Sequence, residues 1–254
     1  MNTEFILVLD VGNTRVKWAC LTPGGLQDFG DAPLGGADLT SLVTAACARH
    51  GRPARVVTCN VAGEECAARL RAATEKHWGL RPEFVAPVRS ACGVVNGYRE
   101  PERLGADRWA ALIAARHLNL GAAYIVDCGT AVTVDALDAA GAHLGGIILP
   151  GLALMRAALN TRTRGINYAA PHDNTLDITP LARDTANAVA SGTLYAVAAA
   201  IDRAATDIGN TLPDAVRIIT GGDAEHVRPL LAGAWRHEPH LVLQGLAVIA
   251  RDTS

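Results

Sequence analysis

One design occurs twice in this chain of 254 residues. Near the start, Phe5-Ile6-Leu7-Val8-Leu9-Asp10-Val11-Gly12-Asn13-Thr14 is an apolar run that ends in Asp-x-Gly. In the middle, Tyr124-Ile125-Val126-Asp127-Cys128-Gly129-Thr130-Ala131-Val132-Thr133 repeats it. Each copy leads into a second β-rich run, residues 15–21 and 131–137, and then into a turn with a glycine (Gly24, Gly141) at the same distance from its aspartate. The pattern reads as strand, tight turn, strand, hairpin turn, strand. A second echo follows in the same order. Ala54-Arg55-Val56-Val57-Thr58 matches Val216-Arg217-Ile218-Ile219-Thr220, and helix-like segments come after both, at 64–77 and 225–235. Two echoes in one order point to an internal duplication. Strands alternating with helices make each half α/β. We expect one half at 1–118 and the other at 119–254, with a small-molecule cleft between them. The second half is longer. Its extra length falls at about 155–209, where 185–205 is Ala-rich with apolar residues at helical spacing.

Composition removes several functional classes. Half of the residues are hydrophobic (50%) and 19% are charged, as in a globular chain with a sizeable core. A net charge of -2 gives no global basic field for nucleic acid or an anionic membrane surface, and 4% aromatics offer few stacking platforms. Charged residues or glycine interrupt every apolar stretch before the ~20 residues that a membrane span needs. Residues 1–10 lack a basic leader and a cleavage pattern. The six cysteines (Cys20, Cys47, Cys59, Cys66, Cys92, Cys128) form no Cys-x-x-Cys pair and suit buried thiols of a reducing cytosol. We expect a cytoplasmic protein with no membrane or nucleic-acid partner.

The chemistry concentrates in a few short motifs. In Asp10-Val11-Gly12-Asn13-Thr14-Arg15-Val16-Lys17, Gly12 lets backbone N–H groups approach an anion, Asn13 and Thr14 add side-chain donors, and Lys17 adds positive charge. Asp10 is placed to hold Mg²⁺ directly or through water. Alone, this segment could equally be a ligand-free Asx-type turn. The second copy at Asp127 and Thr130 favours a nucleotide clamped by paired hairpins. No Gly-x-x-x-x-Gly-Lys-[Ser/Thr] or Gly-x-Gly-x-x-Gly loop is present. Gly105-Ala106-Asp107-Arg108-Trp109 opens a helix expected to run to His117. Its Asp-Arg pair is either a surface cap or, in a cleft, a proton acceptor beside a carboxylate or phosphate grip. Gly97-Tyr98 either lines a pocket or packs on the core. Gly145-Gly146-Ile147-Ile148-Leu149-Pro150-Gly151 brings backbone close to a ligand or to a neighbouring element. The eight histidines make no zinc pattern, and there is no Gly-x-Ser-x-Gly nucleophile elbow.

Paired Asp-x-Gly hairpins on duplicated α/β halves resemble the actin-like (ribonuclease H-like), sugar-kinase-like ATPases. Within that superfamily the ordered motifs resemble the type III pantothenate kinases over nearly the whole chain. They are Asp10-x-Gly-Asn-Thr-x-x-Lys17, Gly97-Tyr98, Gly105-x-Asp-Arg108, Asp127-x-Gly-Thr-Ala-x-Thr133, Gly145-Gly-x-Ile-x-Pro-Gly151, Asp184-Thr185…Gly192 and Thr220-Gly-Gly-Asp223. The resemblance implies an enzyme that phosphorylates pantothenate with ATP at the start of coenzyme A biosynthesis. It implies that residues 10–17 and Thr130 bind ATP, with Asp10 near Mg²⁺ or another divalent cation. Asp127 would hold a monovalent cation, K⁺ or NH₄⁺. Tyr98, Gly105, Ala106, Asp107, Arg108 and Thr185 would contact pantothenate, and Asp107 would be the general base. Arg108 would suit the pantothenate carboxylate on chemical grounds. The resemblance further implies a homodimer, with 155–209 as the interface candidate. Two alternatives stay open at this point: a kinase for another small hydroxyl substrate, and a transcriptional accessory protein on the same scaffold.

Overall fold

A computed structural model describes residues 4–35, 50–166 and 177–252. Cys47 and part of the expected 155–209 insertion lie outside the described residues. The chain divides into two units. The first comprises Met1–Leu120, Ala139–Gly145 and His240–Ser254, and the second Gly121–Asp138 and Gly146–Pro239.

The first unit opens with a meander of β1 (Ile6–Val11), β2 (Arg15–Thr22) and β3 (Gly25–Pro33), each antiparallel to the last. β4 (Arg55–Asn60) then pairs parallel to β1 on its other side. A strand with neighbours on both edges and layers on both faces needs a near-continuous apolar run, and Leu7, Val8 and Leu9 are all buried. α1 (Glu64–Trp78) buries Cys66, Ala67, Leu70, Ala73 and Thr74 at helical spacing. Gly79, with φ 65°, ends it in the left-handed cap that glycine favours. β5 (Glu83–Phe84) completes a sheet of order β3-β2-β1-β4-β5. The core between sheet and helix holds Phe5, Leu7, Val16, Val56, Leu70 and Trp78. A small hairpin of β6 (Ser90–Ala91) and β7 (Val94–Val95) precedes α2 (Ala106–His117).

The second unit repeats the plan. β8 (Ala123–Cys128) pairs antiparallel with β9 (Ala131–Leu137), and β10 (His143–Pro150) lies at the edge. Two helices follow, α3 (Leu152–Arg162) and α4 (Thr185–Gly209). α4 buries Leu194, Val197, Ile201 and Ala205 against the sheet, and the Tyr124 hydroxyl donates to the Ile201 carbonyl at 3.1 Å. Asp184 caps α4 by accepting from the Asn187 backbone N–H at 2.9 Å. β11 (Val216–Thr220) pairs parallel to β8, the short α5 (Ala224–Val227) follows, and β12 (Arg236–His237) pairs parallel to β11. The order β10-β9-β8-β11-β12 matches that of the first sheet, with the same directions around the Asp-x-Gly strand. The expected duplicated α/β halves are therefore present as two five-stranded sheets of one design.

The chain then returns to the first unit as α6 (Leu241–Asp252), which packs on α2. A Cβ at Gly245 would stand 1.9 Å from the Ala110 carbonyl oxygen, so the two helices meet backbone to backbone. Among the described residues no helix is long and apolar enough to cross a membrane.

Candidate active site

Asp10 sits near the end of β1, where register decides its company. Across the antiparallel edge it faces Lys17, and across the parallel edge it faces Cys59. The Cys59 thiol donates to Asp10 Oδ1 at 3.2 Å. Burial pushes the Asp10 carboxyl above its ordinary value. The Cys59 hydrogen bond and the Lys17 charge pull it down, and the Asp107 charge raises it again. Two sequence-predicted acids, Asp10 and Asp107, are thus within electrostatic reach of one another. The same two carboxylates, together with burial, raise the Cys59 thiol well above its ordinary value. In the turn that follows, the Gly12 N–H donates to the Arg15 carbonyl at 3.0 Å, and Asn13 and Thr14 are exposed. Arg15 pairs with Asp31 on β3, its Nε donating to Oδ2 at 2.7 Å.

Asp107 lies in the first turn of α2, where the helix dipole favours a carboxylate. Its Oδ1 accepts from the Arg108 backbone N–H at 2.7 Å. A Cβ at Gly105 would come 2.5 Å from that oxygen, so glycine there leaves room for the acid. Arg108 is buried, at 5% exposure. Its Nη1 donates to the Tyr98 hydroxyl at 2.6 Å, and its guanidinium carbon lies 5.4 Å from the centre of the Tyr98 ring. Tyr98 stacks in turn on His143, with ring centres 5.9 Å apart. The motifs around Tyr98 and Arg108, separate in sequence, therefore meet in one place.

In the second unit, Asp127 ends β8 as Asp10 ends β1, and its parallel neighbour is Thr220. Gly221, at φ 97°, lies so close that a Cβ would come 2.5 Å from Asp127 Oδ1 and 2.4 Å from the Cys128 carbonyl oxygen. Only glycine combines that backbone conformation with that approach. Gly151 packs on the other side of the turn, donating its N–H to the Thr130 carbonyl at 3.0 Å, with no room for a Cβ beside the Gly129 and Thr130 oxygens. The glycines of the 145–151 motif thus serve a neighbouring element. Thr185, exposed on the first turn of α4, lines a cavity of about 990 Å³ with Met155, Leu159, Arg162, Arg183 and Val189. Asp127 and Thr130 do not line that cavity.

The motifs passed over Cys59, Arg89, Asn96 and His143. Cys59 was findable, because the second echo places β4 beside β1 and so sets a thiol opposite Asp10. The others act through loop hydrogen bonds and packing, which leave no periodic trace in sequence. Among the described residues, no group of three or more His, Cys, Asp or Glu side chains is arranged to hold a metal ion.

Known proteins bear on this geometry. The model of the family "Type III pantothenate kinase" matches residues 6–211. The type III pantothenate kinase of Nitrosococcus oceani is 41% identical over 255 residues, covering 98% of this chain and 95% of its own length. That of Azoarcus sp. is 42% identical over 249 residues, covering 96% and 90%. Among solved structures, a protein assigned as a 2-dehydro-3-deoxygalactonokinase from Sinorhizobium meliloti superposes with a TM-score of 0.59 at 14% identity, covering 97% of this chain and 98% of its own, a likeness of fold. With matched motifs along its length and relatives of this identity and coverage, the chain belongs to the type III pantothenate kinase family.

Proposed function

We propose that this chain transfers the γ-phosphoryl group of ATP to the primary hydroxyl of pantothenate, giving 4′-phosphopantothenate at the entry to coenzyme A biosynthesis. Family membership carries the substrate. The observation that carries the chemistry is Asp107, a carboxylate on the first turn of α2 with Asp10 in electrostatic reach and the buried Arg108 guanidinium next in sequence.

Asp107 takes the hydroxyl proton as that oxygen attacks the γ-phosphorus. The bond from the γ-phosphorus to the β,γ-bridging oxygen breaks in line, and ADP leaves. A loose phosphoryl transition state needs little covalent help, so positioning and charge neutralisation do most of the catalysis. Arg108, fixed by Tyr98, holds the pantothenate carboxylate. Gly105 and Ala106 line the same end of the helix, and Thr185 is a further pantothenate contact. The segment Asp10 to Lys17 receives the ATP phosphates through the Gly12 turn and the Lys17 ammonium, and Thr130 adds a contact from the second hairpin.

A divalent cation fits at Asp10. The carboxylate is strained by burial and by the Asp107 charge, which a cation would relieve, and one of its oxygens is already oriented by Cys59. A single carboxylate plus nucleotide phosphates is an ordinary way to hold Mg²⁺. Once bound, that ion supplies charge neutralisation at the transferring phosphate. A monovalent cation, K⁺ or NH₄⁺, fits the oxygen-rich corner of Asp127 that Gly221 keeps open. We further infer a cytoplasmic homodimer joined through α3 and α4. Leu152 is the one buried residue of α3, and Leu154, Leu181 and Tyr195 leave apolar area exposed.

The test is ATP-dependent phosphorylation of pantothenate by the purified chain with Mg²⁺, with and without K⁺, run beside a panel of small alcohols and sugars. Product from pantothenate alone among the panel supports the reading. Absence of product from a folded, ATP-binding protein sinks it.

A further inference from the structure

Asn96 is a fully buried polar residue, at 1% exposure, in the loop that carries Tyr98. Both ends of its amide are used. Its Oδ1 accepts from the Tyr98 backbone N–H at 3.0 Å, and its Nδ2 donates to the Pro101 carbonyl at 3.1 Å. Its own backbone N–H donates to the Arg89 carbonyl at 2.9 Å. The Arg89 guanidinium closes the loop from the solvent side. Nη1 donates to the carbonyls of Asn96 and Tyr98 at 3.0 and 2.9 Å, and Nη2 donates to that of Arg99 at 3.0 Å. Four carbonyls in six residues are thereby held by two side chains, while the adjacent Gly97 leaves no room for a Cβ against the His143 carbonyl oxygen. A loop restrained to this degree presents one main-chain path, and its product is the position of the Tyr98 ring and hydroxyl.

We propose that Asn96 and Arg89 are positioning residues for acceptor-substrate recognition: they fix the loop so that Tyr98 orients the buried guanidinium of Arg108 before the substrate carboxylate arrives. This rests on the reading of Tyr98 and Arg108 as pantothenate contacts. Neither positioning residue needs to touch substrate. Their effect is pre-organisation, which shows in substrate affinity. Arg89 cannot be replaced by lysine in this role, because one ammonium cannot span three carbonyls in the way a planar fork does.

The experiment is steady-state kinetics of Arg89→Ala, Arg89→Lys, Asn96→Ala and Tyr98→Phe, with KM determined separately for pantothenate and ATP and folding followed by thermal melting. Arg89 is exposed, so its variants keep the fold even if Asn96→Ala does not. Arg89→Ala and Arg89→Lys should raise the pantothenate KM about tenfold and leave the ATP KM within about twofold. Arg89→Ala added to Tyr98→Phe should cost less than the product of the two single effects, since both act through one hydroxyl. An unchanged pantothenate KM in folded Arg89→Ala, or an equal rise in both KM values, overturns the proposal. If Tyr98→Phe raises the pantothenate KM while Arg89→Ala does not, the clamp alone fails. If Tyr98→Phe also leaves it unchanged, the assignment of the pantothenate site fails with it.

Discussion

The thiol of Cys59 donates a hydrogen bond to the carboxylate of Asp10 across the parallel pairing of β1 and β4, at 3.2 Å. The contact orients the acid proposed to meet the metal-nucleotide. Cys59→Ser keeps a donor of similar size and should leave the Mg²⁺ requirement near that of the parent protein. Cys59→Ala removes it and should raise the Mg²⁺ concentration for half-maximal rate several-fold, as the loss of about 1 kcal/mol of orientation implies. A magnesium titration of the three proteins decides it. The buried, proton-retaining thiol should also resist alkylation at pH 8 until the protein unfolds.

In its proposed role, Asp10 trades stability for function. Its carboxyl is held above the ordinary 3.8 by burial and by the Asp107 charge, so the folded protein binds that proton more tightly than the unfolded chain does. Ionised Asp10 therefore costs stability at neutral pH. The cost is full above the folded value and fades as pH falls through it toward 3.8. Asp10→Asn should be nearly inactive yet melt higher than the parent at pH 7 without Mg²⁺, by about 2–4 °C for each kcal/mol relieved. The advantage should shrink toward pH 4. A melting series across pH tests the sign.

Asp107→Asn keeps the size of the side chain and removes the proton acceptor. Turnover should fall by about 10²–10⁴-fold while ATP affinity, measured by calorimetry, stays within a few-fold. A turnover near that of the parent would remove Asp107 from the role of base.

Gly221→Ala forces a Cβ into the Cys128 carbonyl and Asp127 at a backbone angle few L-residues adopt. It should destabilise the protein by about 1–3 kcal/mol. At permissive temperature it should blunt any response to K⁺, as Asp127→Asn should if Asp127 holds the cation as proposed. Melting curves and a potassium titration, read together, separate the two effects.

Much of the fold was legible because duplication writes itself twice. The Asp-x-Gly turns at Asp10 and Asp127 and the Thr-ending strands at Thr58 and Thr220 occupy equivalent places in two sheets of one order. The strand-end places of Asp10 and Asp127 were legible for the same reason, whereas Asp107 has no second copy and was singled out by the Gly105-x-Asp-Arg108 motif. What stayed hidden depended on contacts without period. Asn96 and Arg89 act through carbonyls, which every residue possesses. Gly245 looks like an ordinary helix-weakening glycine until α2 is seen against it. The start of α4 and most of its course were readable from the Ala-rich spacing over 185–205, though the helix runs on to Gly209; the cap at Asp184 and the cavity beside Thr185 required the folded chain.

The helix that carries Asp107 rests on α6, which follows it far along the chain. On a translating ribosome, α2 emerges with its supporting partner still more than a hundred residues from being made. Until α6 is made, α2 lacks its main packing partner, so the proposed base is not fully seated. Seating of the proposed base is thus coupled to synthesis of α6, and a chain cut before Leu241 should leave Asp107 without that support.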